Sequence, residues 1–248
     1  MVTGAGFPAE FSDLLSRAGR RLLDGDHPLA GALADPRRRF LQAGDLVDPR
    51  KAARLRVLLE SEVGPTLEPI DRPIPPESIW EMTEDYAETL PKTTRAGTVY
   101  FDDAREPGAR AAARIGLARM LRSDSFHRFA ERLAGRPLAK KHGIQLLRYG
   151  PGDYAGPHND HHPGEPKARH GYVDIHLSLA SPTVEHQWLV HARAGHFSEI
   201  VSVAGPAIVT AYRLPFWHYT TPLAARPGRE RQAVRWVLLG TFLFADAA

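Results

Sequence analysis

Residues 172–179 read Tyr172-Val173-Asp174-Ile175-His176-Leu177-Ser178-Leu179. Successive side chains of a strand point to opposite faces, so Tyr172, Asp174, His176 and Ser178 share one face and the four aliphatic residues the other. No helical register separates these residues so cleanly, because a helix repeats at 3.6 residues rather than two. Residues 145–148, 187–191, 199–203, 207–212 and 235–244 have the same short, strand-like character. Turn signals separate them: Gly150-Pro151-Gly152-Asp153, Ser181-Pro182, Arg193-Ala194-Gly195, Gly205-Pro206 and Pro227-Gly228. Many short strands with regular turns predict a sandwich or jelly roll.

Upstream of Ile144 the period is helical. Residues 8–23 place Phe11, Leu14, Leu15, Ala18 and Leu22 on one helical stripe. Asp48-Pro49 is a start signal for a helix over 50–63. Residues 64–77 hold five prolines and read as a surface connector. Residues 106–121 read as one basic amphipathic helix. Ser123 caps a further helix over 124–133 that stops at Gly135, and residues 93–100 read as a strand near the mouth of a barrel. The expected architecture is α+β and a single domain over 1–248. Helical residues 1–140 support a cupin-like jelly roll, a double-stranded β-helix, built from 141–248.

At 248 residues the chain can bury a core without covalent staples. It has no cysteine, which excludes disulfides, thiolate zinc sites and a cysteine nucleophile. Thirty-two basic and 29 acidic residues give a net charge of +3, and acids are interspersed with bases throughout. A nucleic-acid binder concentrates its charge on one stripe, so no nucleic-acid partner is expected. No secretory pattern opens the chain, and the longest apolar run, 236–245, is about half a membrane span. A cytoplasmic protein without a membrane partner is the expectation. Ten of the 12 histidines fall between His142 and His218.

His158-Asn159-Asp160 lies in that interval. On extended chain, residues two apart point the same way, so an imidazole and a carboxylate converge while Asn159 points away. One more ligand would complete a two-histidine, one-carboxylate facial triad with open positions, the arrangement of non-haem Fe(II) oxygenases. His218, 60 residues after His158 and just beyond a predicted strand, is the best-placed third ligand. His176, His186, His191 and His196 compete for the role. Arg235 opens the last predicted strand, where a guanidinium projecting into a barrel can grip a carboxylate through two parallel hydrogen bonds.

The run from Arg148-Tyr149-Gly150-Pro151-Gly152-Asp153 to His158-Asn159-Asp160 resembles the first metal motif of Fe(II)/2-oxoglutarate-dependent dioxygenases, most closely the prolyl-4-hydroxylase-like branch. His218-Tyr219-Thr220-Thr221-Pro222-Leu223, followed by Arg235-Trp236, resembles the second. The resemblance covers roughly residues 123–244. It implies Fe(II) held by His158, Asp160 and His218, O2 as oxidant, and 2-oxoglutarate as cosubstrate. Arg235 would clamp the distal carboxylate, with the Tyr149 phenol as a second donor. Ascorbate enters as an assay additive. Arg229, 11 residues after His218, matches the family's spacing better than Arg235 at 17. It sits in a polar turn, so Arg235 is favoured and residues 224–232 are read as a lengthened hairpin loop. The Asp160 carboxylate fills the position that radical halogenases leave for chloride, which favours hydroxylation.

The expected substrate is a small polar molecule, such as a free amino acid or derivative in secondary metabolism. Arg95, Asn159 and His161 are the candidate substrate contacts. Residues His162, Trp80, Tyr86, Gln187 and Trp188 are further candidates near the site. The alternatives are the same chemistry on a protein or peptide side chain, or a metal-binding jelly roll without turnover.

Overall fold

A computed structural model describes residues 6–74, 93–160 and 171–245. Among the described residues, thirteen strands and five α-helices alternate unevenly. Before residue 140 lie α1 (Arg17–Asp24), β1 (Phe40–Ala43), α2 (Pro49–Glu62), β2 (Pro69–Pro73), β3 (Thr93–Tyr100), α3 (Pro107–Arg114), α4 (Leu117–Leu121) and α5 (Asp124–Ala134). Then come β4 (Gly143–Tyr149), β5 (Tyr154–His158), β6 (Tyr172–Ala180), β7 (Val184–His186), β8 (Trp188–Arg193) and β9 (His196–Ser202). The chain closes with β10 (Ile208–Arg213), β11 (His218–Thr220), β12 (Ala224–Ala225) and β13 (Arg235–Leu243).

Eleven strands join one curled sheet in the order β1-β10-β6-β13-β4-β3-β5-β11-β8-β9, with β2 paired to β3, and β12 pairs β7 separately. Every pairing is antiparallel. This is the double-stranded β-helix expected from the sequence. Strand β3 bridges its two walls, since Gly97–Tyr100 pair with β4 while Thr94 and Arg95 pair with β5.

The alternation in β6 sorts as read. Val173, Ile175, Leu177 and Leu179 face outward and share a core with Trp236, Leu238 and Phe242 of β13 and with Leu55, Leu59, Phe126, Phe129 and Leu133 of α2 and α5. Burying each such side chain contributes about 1.5–3 kcal/mol. Asp174, His176 and Ser178 face the barrel interior, and all nine residues of β6 are buried. The helices thus cover the face the sequence marks as apolar and leave the polar face for the cavity. Glu60 of α2 ties this layer to the sheet. It accepts from Trp236 Nε1 at 3.0 Å and pairs with Arg148 Nε and Nη2 at 3.1 and 2.6 Å.

Three local readings need correction. Residues 8–23 are not one helix: a 3-10 turn, Phe11–Leu14, precedes α1, because Ser16 is extended and caps α1 through Gly19 N. Residues 106–121 split into α3 and α4 at Gly116, whose φ of +84° breaks the helix. The proline-rich connector contains β2. Its prolines are tolerated because, among the described residues, β2 is an edge strand bonded only to β3. The sheet therefore draws β1, β2 and β3 from the segment read as helical support. The helix caps stand as read: Asp48 accepts from Arg50 N and Lys51 N, Ser123 accepts from Phe126 N, and Gly135 ends α5 in the left-handed conformation.

Candidate metal centre

His158 ends β5 and His218 begins β11, and the two stand opposite each other in the β5–β11 ladder. Their rings lie 4.4 Å apart. Asp160 follows two residues after His158, and its Oδ1 is 3.1 Å from His158 Nε2 while its Oδ2 is 3.7 Å from His218 Nε2. The sequence-read trio is thus one cluster. Among the described residues a second cluster overlaps it, in which Asp160, Asp174 and His176 bring their ligand atoms within 4.8 Å of one another.

Backbone carbonyls orient both rings. His158 Nδ1 donates to Gly156 O at 2.7 Å, and His218 Nδ1 donates to Phe216 O at 3.0 Å. A carbonyl only accepts, so each Nδ1 carries the proton and each Nε2 turns toward Asp160. Burial, the largest effect, pushes His218 down to about 4, so its Nε2 presents a lone pair to Asp160 Oδ2. Two acceptors face each other with no hydrogen between them, an arrangement that a cation relieves. For His158, burial is outweighed by the hydrogen bond and charge of Asp160, and the ring is held above its ordinary value. Asp160 is held well below the carboxylate range, because the two histidines outweigh its burial. Two imidazole nitrogens and one carboxylate fit a divalent transition metal.

Asn159, between the ligands, is fully buried and turned away from the cavity. Its Oδ1 accepts from Phe216 N at 3.2 Å, so it ties the end of β5 to the segment that leads into His218. It is a structural tether in the fold and does not line the cavity.

The three ligands line a cavity of about 350 Å³ inside the barrel. Arg235 lines it as well, with 3% of its surface exposed. Its Nε donates to Gln187 Oε1 at 2.7 Å and its Nη1 to Ser178 Oγ at 2.9 Å. The guanidinium lies 4.6 Å over the ring of Tyr149, its register partner in the β13–β4 ladder. Among the described residues no carboxylate pairs with it. A buried, unpaired guanidinium costs several kcal/mol unless something anionic joins it, and its remaining N–H groups are open to a carboxylate. Arg229 is exposed in the loop that precedes β13 and lies outside the cavity.

The other sequence-read contacts separate. Arg95 is half exposed, pairs with Asp153 at 3.4 Å and does not line the cavity. Trp188 is exposed and stacks on His186. His161, His162, Trp80 and Tyr86 lie outside the described residues. Gln187, read only as a general lining candidate, is fully buried. Its Nε2 donates to the carbonyls of Asp153 and Thr221, which aims its oxygen at Arg235. Asp174 and His176 have no role in the metal motif, yet the β6 alternation already places both on the inner face.

A jelly roll whose interior holds a converging His-Asp-His set and a buried arginine is the fold and site arrangement seen here. No protein-family model and no curated protein matches the sequence. Solved structures match the fold. A 2OG-Fe(II) oxygenase family oxidoreductase from Burkholderia pseudomallei superimposes with a TM-score of 0.56 at 12% identity, over 89% of this chain and 91% of its own. A Pseudomonas putida prolyl-4-hydroxylase gives 0.52 at 15% identity, over 88% and 99%. The non-heme alpha-ketoglutarate-dependent epimerase SnoN from nogalamycin biosynthesis gives 0.52 at 15% identity, over 92% and 83%. The chain therefore has the fold of the 2OG-Fe(II) oxygenases. No helix among the described residues is long and apolar enough to cross a membrane.

Proposed function

We propose that this chain is an Fe(II)- and 2-oxoglutarate-dependent oxygenase that acts on a C–H bond of a small molecule. The observation that carries the reading is that one cavity holds both a metal-ligand cluster and an unpaired buried arginine. A dicarboxylate that chelates metal at one end and needs a cation at the other answers both demands. Bound iron, with this cosubstrate and O2, would supply the oxidising power for C–H attack. His158, Asp160 and His218 would hold the metal. Arg235 would bind the far carboxylate, braced by Gln187 and Ser178, with the Tyr149 hydroxyl beside it. Arg235 and His218 are buried within the barrel, where polar contacts are stronger than in water.

Structures with this fold include a prolyl-4-hydroxylase and an epimerase, so the fold leaves the outcome of C–H attack open. The intact Asp160 carboxylate supports hydroxylation. As to substrate, Arg235 is the one arginine or lysine among the described lining residues, and Ile70, Ile74, Leu147, Leu189 and Val237 supply much of the wall. The described wall therefore offers a substrate carboxylate no second cation. Less polar candidates belong in a screen beside free amino acids.

The test is succinate formation from 2-oxoglutarate by purified protein with Fe(II) and ascorbate. Mass spectrometry follows a panel of small molecules for a gain of one oxygen. Succinate formation that depends on Fe(II) and is lost in Asp160→Ala supports the reading. Equal succinate from Asp160→Ala, or none under any condition, overturns it.

A further inference from the structure

His176 sits mid-strand on the inner face of β6. Its Nδ1 is 2.7 Å from the hydroxyl of Tyr212 on β10, and the Tyr212 ring packs edge-on at 4.5 Å. That hydroxyl also bonds Thr210, the register partner of His176. The other ring nitrogen, Nε2, is buried and has no hydrogen-bond partner among the described residues. His176 offers one ring nitrogen within 4.8 Å of the Asp160 and Asp174 carboxyls, and with Nδ1 engaged by Tyr212, Nε2 is the one left for them. A buried ring nitrogen without a partner calls for an explanation.

The tautomer follows from its surroundings. A neutral imidazole carries its proton on one nitrogen and accepts at the other. A lone pair on Nε2 would face the Asp160 anion, whereas an N–H there is attracted to it. The proton therefore sits on Nε2, and Nδ1 accepts from Tyr212. The Tyr212 hydroxyl, 2.7 Å away, is the donor in that pair. Thr210, Tyr212 and His176 form a relay that ends in the Nε2–H, and Asp160 Oδ2 is likewise buried without a hydrogen-bond partner among the described residues.

We propose that His176 is a positioning residue for Asp160. Its Nε2–H donates to the carboxylate oxygen left over when the other binds metal, and so holds Asp160 as a one-oxygen ligand. This rests on the metal-centre reading above. One-oxygen ligation preserves the open positions that a facial triad offers. Asp174, two residues earlier on the same face and hydrogen-bonded to Asp160 and Thr241, flanks the same carboxylate. Outer partners of metal ligands typically alter metal affinity by ~10–100-fold.

The experiment titrates metal-free protein with Mn(II) by calorimetry, which needs no turnover. His176→Phe removes the donor and keeps a planar ring, and is expected to weaken Mn(II) binding by ~10–100-fold. His176→Gln restores an N–H donor and is expected to recover most of that loss. Wild-type affinity in His176→Phe overturns the proposal, as does a His176→Gln variant as weak as His176→Phe. Tyr212→Phe, which removes only a hydroxyl, serves if His176 variants do not fold. It is expected to weaken binding several-fold, and unchanged affinity overturns the relay. Wild-type protein that takes up no Mn(II) overturns the metal centre itself, a result distinct from failure of the His176 variants alone.

Discussion

Gln187 Oε1 accepts from Arg235 Nε at 2.7 Å, and both side chains are buried. Gln187 in turn donates to two backbone carbonyls, so its oxygen is fixed before any ligand arrives. Arginine is held side-on, and its outer N–H groups are left for a carboxylate. Gln187→Glu would place an anion within the same reach and satisfy Arg235 internally. This variant is expected to bind 2-oxoglutarate at least tenfold more weakly in the Mn(II)-loaded protein, as read by calorimetry. Unchanged affinity would show that Arg235 is not the carboxylate anchor.

Glu60 supports two groups of the sheet at once. Glu60→Leu leaves the Trp236 N–H without its acceptor and Arg148 without its partner. A buried donor left unpaired costs about 1–3 kcal/mol. Urea unfolding is expected to show a loss in this range. Glu60→Gln, which keeps an acceptor oxygen for Trp236, is expected to lose less.

Gly240 lies in the middle of β13, where a Cβ would come within 2.6 Å of the Phe126 ring. Phe126 is itself locked against Phe11 and Phe242. Gly240→Ala is expected to destabilise the protein by about 1–3 kcal/mol through overpacking. The double variant Gly240→Ala, Phe126→Leu should recover part of the loss. Thermal midpoints of the two proteins check this.

Asp48 caps α2, and hydrogen bonds from Lys51 N and Arg50 N hold its carboxyl below the ordinary 3.8. A depressed carboxyl contributes stability above its unfolded value, which is lost as pH falls through the folded value. Asp48→Asn keeps a capping oxygen that does not titrate. Its stability is expected to fall less steeply than wild type below about pH 4. Parallel pH series of thermal midpoints check this, and identical slopes would show that the cap carries no linkage.

Legibility in the sequence followed distance along the chain. The β6 alternation, the caps at Asp48 and Ser123, and His158 with Asp160 depend on neighbours a few residues away, and all stand in the fold. Strand β1 was not legible, because Phe40–Ala43 is a strand only by pairing with β10. Gln187 showed no distinct signal, since its role exists only once β13 brings Arg235 to it. The charge of Arg95 was legible, but its pairing with Asp153, from the turn before β5, was not. His176 was legible in placement and not in role, because Tyr212 and Asp160 come from other parts of the chain.

The pairing of β1 with β10 also bears on biosynthesis. Phe40 pairs with Tyr212, so most of the chain must leave the ribosome before this edge of the sheet can close. Pairings of such wide sequence separation make folding slow, and the growing polypeptide carries an open strand edge until then. Production at lower temperature or with added chaperone is therefore expected to raise the soluble yield. A chain truncated before β10 should accumulate in inclusion bodies.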